Sequence, residues 1–211
     1  MVVDMQNDFV RAGAPQEVPQ ARATIPRIQQ LLNWFRQARR PVVFTKFLAG
    51  PRETLLWRWS PECGPELRSC WPGVRRTYRD CEGDREGPAI VDELAPQPGE
   101  HVVEKYGYDA FFRTNLADHL RANDVTDVVV CGTVTHICVA STVNGAFHHG
   151  YRAVVASDAV SSYDEELHRA TLRIIGAKYG RVASTEEVLA ELQSLFGGEK
   201  GGEDGRAERT A

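Results

Sequence analysis

The first hundred residues contain no histidine, and the stretch from Val42 to Arg79 also lacks aspartate. A divalent ion held by the front half of the chain would have to do without imidazole, the commonest nitrogen ligand. No apolar run approaches the roughly 20 residues needed to cross a bilayer. The N-terminus lacks the basic-then-apolar layout of a signal peptide. The chain therefore reads as soluble and cytoplasmic, with no membrane partner. A dense Lys/Arg tract is missing too: the formal net charge is −4, and the basic doublets Arg39-Arg40 and Arg75-Arg76 are short, which argues against a nucleic-acid partner. There is no G-x-G-x-x-G and no P-loop, so dinucleotide and nucleoside triphosphate binding have no support. The five cysteines (Cys63, Cys70, Cys81, Cys131 and Cys138) are odd in number and form no C-x-x-C pair. A disulfide framework is not expected. The spacing of Cys63, Cys70 and Cys81 fits no common zinc pattern, and structural or surface thiols are the favoured reading.

What is present is enough for one globular domain with a substantial core: 211 residues, 42% hydrophobic and 26% charged. That domain is assigned to residues 1–196. The tail 197–211, "GGEKGGEDGRAERTA", has almost nothing to bury and is expected to be disordered. Along the domain, "MVVD", "PVVFTKF", "HVVEKY", "DVVVCGT", "RAVVASDAV" and "RVAS" are short Val-rich runs of the kind that forms strands buried on both faces. Helical patterns lie between them: "TIPRIQQLLNWFRQARR", which Thr24 can cap, then "TNLADHLRAN", "THICVASTVNGAFHHG", "DEELHRATLRIIGAKYG" and "STEEVLAELQSLF". Such alternation predicts βα units and a mainly parallel α/β sheet covered by helices. One excursion, residues 48–88, is rich in Pro, Gly, Trp and Arg and reads as a lid, a pocket wall or a subunit contact.

Ligands of such sheets bind at the carboxyl ends of the strands. Three chemically suitable residues fall there: Asp4, Lys105 and Cys138. Singly, each has an ordinary explanation as a turn residue, a solvated charge or an inert buried thiol. Together they suit nucleophilic catalysis, because a nearby cation and a helix start favour the thiolate and a carboxylate can carry its proton. On that basis Cys138 is expected to alkylate faster than the other thiols at neutral pH. Only three residues precede Asp4, so the first strand is either short or begins upstream of Met1 in the natural chain.

The segments "VVDMQNDF", "EKYGYDAFFRTNL" and "VVVCGTVTHICVASTVNGAFHHGYRAVVASDAVSS" resemble the signature segments of the isochorismatase-like cysteine hydrolases. The likeness runs in order from Val2 to Leu195 and omits the tail and much of 48–88. It implies a six-stranded, mainly parallel sheet with helices on both faces, in a Rossmann-like three-layer arrangement. It implies that Asp4, Lys105 and Cys138 are the catalytic triad. It also implies a cis peptide at Thr133-Val134, an oxyanion hole from the backbone of Val134 and Cys138, and a homo-oligomer. The activity implied is hydrolysis of a C–N bond in a small amide, ureido or N-carbamoyl compound through a thioester, with no cofactor and no metal. A metal-assisted, nicotinamidase-like amidase is the alternative, disfavoured because the place of that branch's Asp-x-His reads "VVFTKFLAGP". A non-catalytic scaffolding member and a thiol redox sensor using Cys131 and Cys138 are further readings.

Phe9, Tyr108, Phe111 and His136 flank these segments as pocket candidates, although aromatics at such spacings are often core residues. Asp158 is read as a cap or turn residue, with a substrate contact as the lesser reading. Gln6 and Asn7 are expected to organise the loop after the first strand.

Overall fold

The computed structural model describes residues 1–196, so the tail 197–211 lies outside the described residues. In chain order the elements are β1 (Val2–Val3), α1 (Asn7–Val10), α2 (Ala21–Gln37), β2 (Val43–Phe47), α3 (Leu56–Trp59), β3 (Arg75–Thr77) and β4 (Asp84–Glu86). There follow β5 (His101–Lys105), α4 (Leu116–Ala122), β6 (Asp127–Thr133), α5 (Ala140–His148), β7 (Arg152–Ser161), α6 (Glu165–Lys178), β8 (Gly180–Ala183) and α7 (Thr185–Phe196). Six strands make one sheet in the order β5-β2-β1-β6-β7-β8, with every neighbouring pair parallel. The six Val-rich runs are its six strands.

Side chains alternate across this sheet, as a period of two requires. Val2 and Phe44 point into a core shared with Ile28, Leu31 and Leu32 of α2 and Val188 of α7. Val3 and Val43 point the other way, into a core shared with Leu116 and Leu120 of α4, Val143 of α5 and Ile175 of α6. The three layers follow from that alternation. Both cores are needed because parallel strands carry apolar residues on each face.

Helix starts are less regular. Asp164 caps α6 by accepting from the Leu167 amide at 2.9 Å. Thr24 does not cap α2, which begins three residues earlier at Ala21; its hydroxyl donates back to the Ala21 carbonyl at 2.8 Å from inside the helix. The excursion contains α3 and the β3–β4 hairpin, neither marked by periodicity in the sequence. It is tied down by a buried carboxylate in α1. Asp8 accepts from the Cys70 amide and the Tyr78 hydroxyl, each at 2.7 Å, and lies 3.2 Å from the Arg76 guanidinium.

Candidate active site

The chain folds β1, β2 and β5 to one side and then crosses to β6 on the other side of β1, so the strand order reverses beside β1. At such a reversal the loops after the strands diverge and leave a crevice. The approach of β6 to β1 is close there. A Cβ on Gly132 would stand 2.1 Å from the Val3 carbonyl oxygen, and Gly132 has φ +112°, a conformation open to glycine and costly for other residues. Thr133–Val134, the next peptide, is cis.

Asp4 leaves β1 with φ +49°, in the left-handed region that Asp tolerates better than most residues. Its carboxylate is fully buried and is held at both oxygens. Oδ1 accepts from the Thr45 hydroxyl of β2 at 2.5 Å, and Oδ2 accepts from Lys105 Nζ at 2.6 Å. Lys105 ends β5, one strand beyond β2, and its stem crosses β2 to reach Asp4. Its ammonium also donates to the Gly107 carbonyl at 3.1 Å and sits 5.2 Å from the centre of the Phe47 ring. Burial alone would pull this lysine toward neutrality, but the Asp4 carboxylate and Cys138 together outweigh it and hold its pKa above the ordinary value. The pair is an ion pair, closed off from water.

Cys138 is buried in a π-helical turn, Thr135–Val139, that leads into α5. Wide turns of this kind recur at functional sites. The thiol interacts with both members of the pair. Burial pushes its pKa well up, Lys105 draws it down, and Asp4 pushes it up again. The net shift is upward, contrary to the expectation that Lys105 and the helix start would favour a free thiolate. Desolvation is the reason: a thiolate in this core loses more hydration than one lysine, already neutralised by Asp4, restores. The resting group is a thiol beside a carboxylate able to take its proton.

One face of the sulfur opens on a cavity of about 350 Å³, whose walls include Phe9, Phe47, Tyr108 and Val134. A larger cleft of about 570 Å³ lies alongside and shares Tyr108, but Cys138 does not line it. The smaller one is the candidate site because it alone of the two reaches the sulfur. Val134 lines the cavity, and among the described residues no hydrogen bond donated by its amide is found.

Phe9 and Tyr108 thus stand where a pocket role requires. Phe111 does not: it is buried on the α4–α5 side, stacked on His149 at 4.8 Å and on Tyr151 at 5.7 Å. The loop turns between Tyr108 and Phe111, because Asp109 Oδ1 accepts from the Phe111 amide and aims that ring into the core. His136 also lies off the cavity wall, held by the Ser162 hydroxyl at 2.9 Å and the Tyr163 hydroxyl at 3.2 Å; the Tyr163 side chain lines the wall instead. Asp158 serves a helix start: its Oδ1 accepts from the Thr185 amide and hydroxyl at the beginning of α7, and Arg27 pairs with its other oxygen. Gln6 bridges the Phe47 backbone and the Pro88 carbonyl, and Asn7 reaches the Glu86 carbonyl. Sequence reasoning missed Ser60, Glu62 and Cys63, which bring the excursion to the cavity wall. Only the local richness in Trp and Pro hinted that the segment packs; Trp57 and Trp71 stack 5.5 Å apart and donate to the Ala49 and Cys63 carbonyls.

A family model described as the Isochorismatase domain matches residues 1–187. The chain belongs to the isochorismatase family. An uncharacterized isochorismatase family protein of Bacillus subtilis is 38% identical, in a match that covers 53% of this chain and 61% of that one. The ureidoacrylate amidohydrolase RutB of Rhizobium rhizogenes is 31% identical, with 91% of this chain and 82% of the relative covered. Among solved structures, a cysteine hydrolase from Pseudomonas syringae pv. phaseolicola superposes with a TM-score of 0.82 at 26% identity, covering 92% of each chain. The fold of the isochorismatase-family hydrolases is therefore the fold of this chain.

Proposed function

We propose that this isochorismatase-family chain is a cysteine-dependent hydrolase of C–N bonds other than peptide bonds, acting on a small amide, ureido or N-carbamoyl compound. The observation that carries the reading is the buried Lys105–Asp4 pair, 2.6 Å apart, set against the Cys138 thiol at the end of a cavity. Its likeness to an amidohydrolase and to a cysteine hydrolase supports the same chemistry.

The proposed steps use the three side chains in turn. Asp4 takes the Cys138 proton as the sulfur attacks the substrate carbonyl carbon, so the thiolate forms in the act of attack and not before. The carbonyl electron pair moves onto oxygen, which the Val134 amide, together with that of Cys138, receives as hydrogen-bond donors. A well-aimed donor of this kind typically contributes about 3–4 kcal/mol. The tetrahedral adduct collapses, the C–N bond breaks, and the proton on Asp4 passes to the departing nitrogen. Asp4, again a carboxylate, takes a proton from water, whose oxygen attacks the thioester; on collapse the sulfur leaves and recovers the proton. Lys105 donates to Asp4 Oδ2 at 2.6 Å and fixes the direction of the carboxylate between transfers. Splitting the hydrolysis in two replaces one hard displacement by two easier ones.

The test is ammonia release from a panel of small amides, ureas and carbamoyl compounds by the wild type and by Cys138→Ala, with intact-protein mass spectrometry of Cys138→Ser as a trap for a slow acyl ester. Hydrolysis that survives in Cys138→Ala at more than about a tenth of the wild-type rate, a loss of under 1.4 kcal/mol, contradicts the assignment.

A further inference from the structure

Two charged residues line the cavity that reaches Cys138, and both are acidic: Glu17 and Glu62. Their situations differ. Glu17 accepts from the Gly13 amide at 2.8 Å and pairs with Arg22 at 2.8 Å, so its charge is balanced. Glu62, half-buried at the start of the loop that carries Cys63, has no side-chain hydrogen bond or ion pair among the described residues. Lys105, the nearest cation behind the sulfur, is already bonded to Asp4 and does not line the cavity. Four rings, Phe9, Phe47, Tyr108 and Tyr163, stand among the remaining walls, with Gln16 and Ser60 as the uncharged polar side chains. Phe47 and Tyr108 stack at 6.0 Å, Phe9 lies 6.0 Å from Phe47, and Tyr163 also lines the cavity. An unbalanced carboxylate amid ring faces is a setting that attracts a cation and repels an anion.

We infer that Glu62 determines specificity, and that the amide hydrolysed at Cys138 carries a positive charge, such as an ammonium group, on the part remote from the scissile carbonyl. This rests on the hydrolase reading above and narrows its substrate class away from amic and carbamoyl acids. Glu62 shares the cavity wall with Tyr108, Tyr163 and Cys63, whose pKa values are raised by burial first and by the Glu62 charge in addition. Tyr108 lines the same cavity as Cys138 and Glu62, and its hydroxyl is steadied by Ser60 at 3.1 Å.

Three amides of one length separate the cases: β-alaninamide as cation, butyramide as neutral and succinamate as anion. The wild type is expected to hydrolyse them in that order of kcat/KM. Glu62→Gln should shrink the cation-to-anion ratio about tenfold, the scale of one partly screened charge at close range, and Glu62→Lys should reverse the order. A second readout does not depend on hydrolysis. Cationic 2-aminoethyl and anionic 2-sulfonatoethyl methanethiosulfonate are reacted with each protein, and modification at Cys138 is followed by peptide mapping. The same change in the cation-to-anion ratio is expected. A wild-type preference for succinamate, or reagent ratios unchanged by both substitutions, overturns the inference. Cys138-dependent hydrolysis without charge discrimination also sinks it while leaving the hydrolase reading intact. Charge-selective modification of Cys138 with no hydrolysis of any amide supports the cation preference and removes the hydrolase reading instead.

Discussion

Lys105 Nζ lies 2.6 Å from Asp4 Oδ2, across 101 residues of chain, and both side chains are shut off from water. Two isolated charges in such a place would be expensive to bury. Here the lysine gives Asp4 one charge-assisted hydrogen bond and Thr45 gives it another, so each carboxylate oxygen has a donor.

The pair leads to two opposite effects in one variant. Asp4 raises the Cys138 pKa both by its charge and by its hydrogen bond, so Asp4→Asn should lower it and make the thiol alkylate faster at a given pH. The same change should cut kcat by about a thousandfold or more, because the proton acceptor is gone. Iodoacetamide kinetics beside ammonia release measure both. Slower alkylation in Asp4→Asn would show that the carboxylate activates the resting sulfur instead of restraining it. In the wild type, burial raises the thiol pKa, so the labelling rate at Cys138 should keep climbing as pH rises past 9.

Lys105→Met removes one half of a buried ion pair. Breaking such a pair typically costs about 3–5 kcal/mol, because the remaining charge is left without compensation. Urea unfolding at pH 7 should show a loss in that range, and because the folded state holds the Lys105 pKa above its ordinary value, the deficit should narrow as pH rises through that raised value and the wild-type lysine loses its charge. A loss that does not change with pH would mean that packing of the lysine stem, and not the charge, accounts for the effect.

Asp8 anchors the excursion through the Cys70 amide, the Tyr78 hydroxyl and Arg76. Asp8→Ala leaves these buried donors unsatisfied, at roughly 1–3 kcal/mol for each group that finds no new partner. Limited proteolysis should then cut first within residues 48–88, and KM should rise more than kcat falls, since Ser60, Glu62 and Cys63 belong to the cavity wall and not to the proton relay. Cleavage appearing first elsewhere would detach the excursion from Asp8.

Dialysis against EDTA should leave the rate on the best amide unchanged. The described residues include no group of three or more His, Cys, Asp or Glu placed to hold an ion, and the proposed oxyanion donors are backbone amides. Activity lost on chelation and restored by zinc, iron or manganese would bring back a metal-assisted, nicotinamidase-like mechanism.

The Val-rich runs determined the sheet by themselves, because a parallel strand covered on both faces leaves a continuous apolar signature that needs no distant partner to be read. The helices between them, and the positions of Asp4, Lys105 and Cys138 after strands, were equally local facts. Tertiary structure decided the rest. It put the Thr45 hydroxyl on the second oxygen of Asp4, a contact set by the register of β2 against its neighbours, which periodicity does not encode. It turned Phe111 into the core and Tyr163 toward the cavity, since a loop's hydrogen bonds, here that of Asp109, aim its rings. It folded the irregular stretch 48–88 into a wall carrying Glu62, through a buried carboxylate some 60 residues upstream. It also reversed the expected ionisation of Cys138, because desolvation depends on how deeply a group is buried, and that depth belongs to the packed molecule and not to any stretch of its sequence.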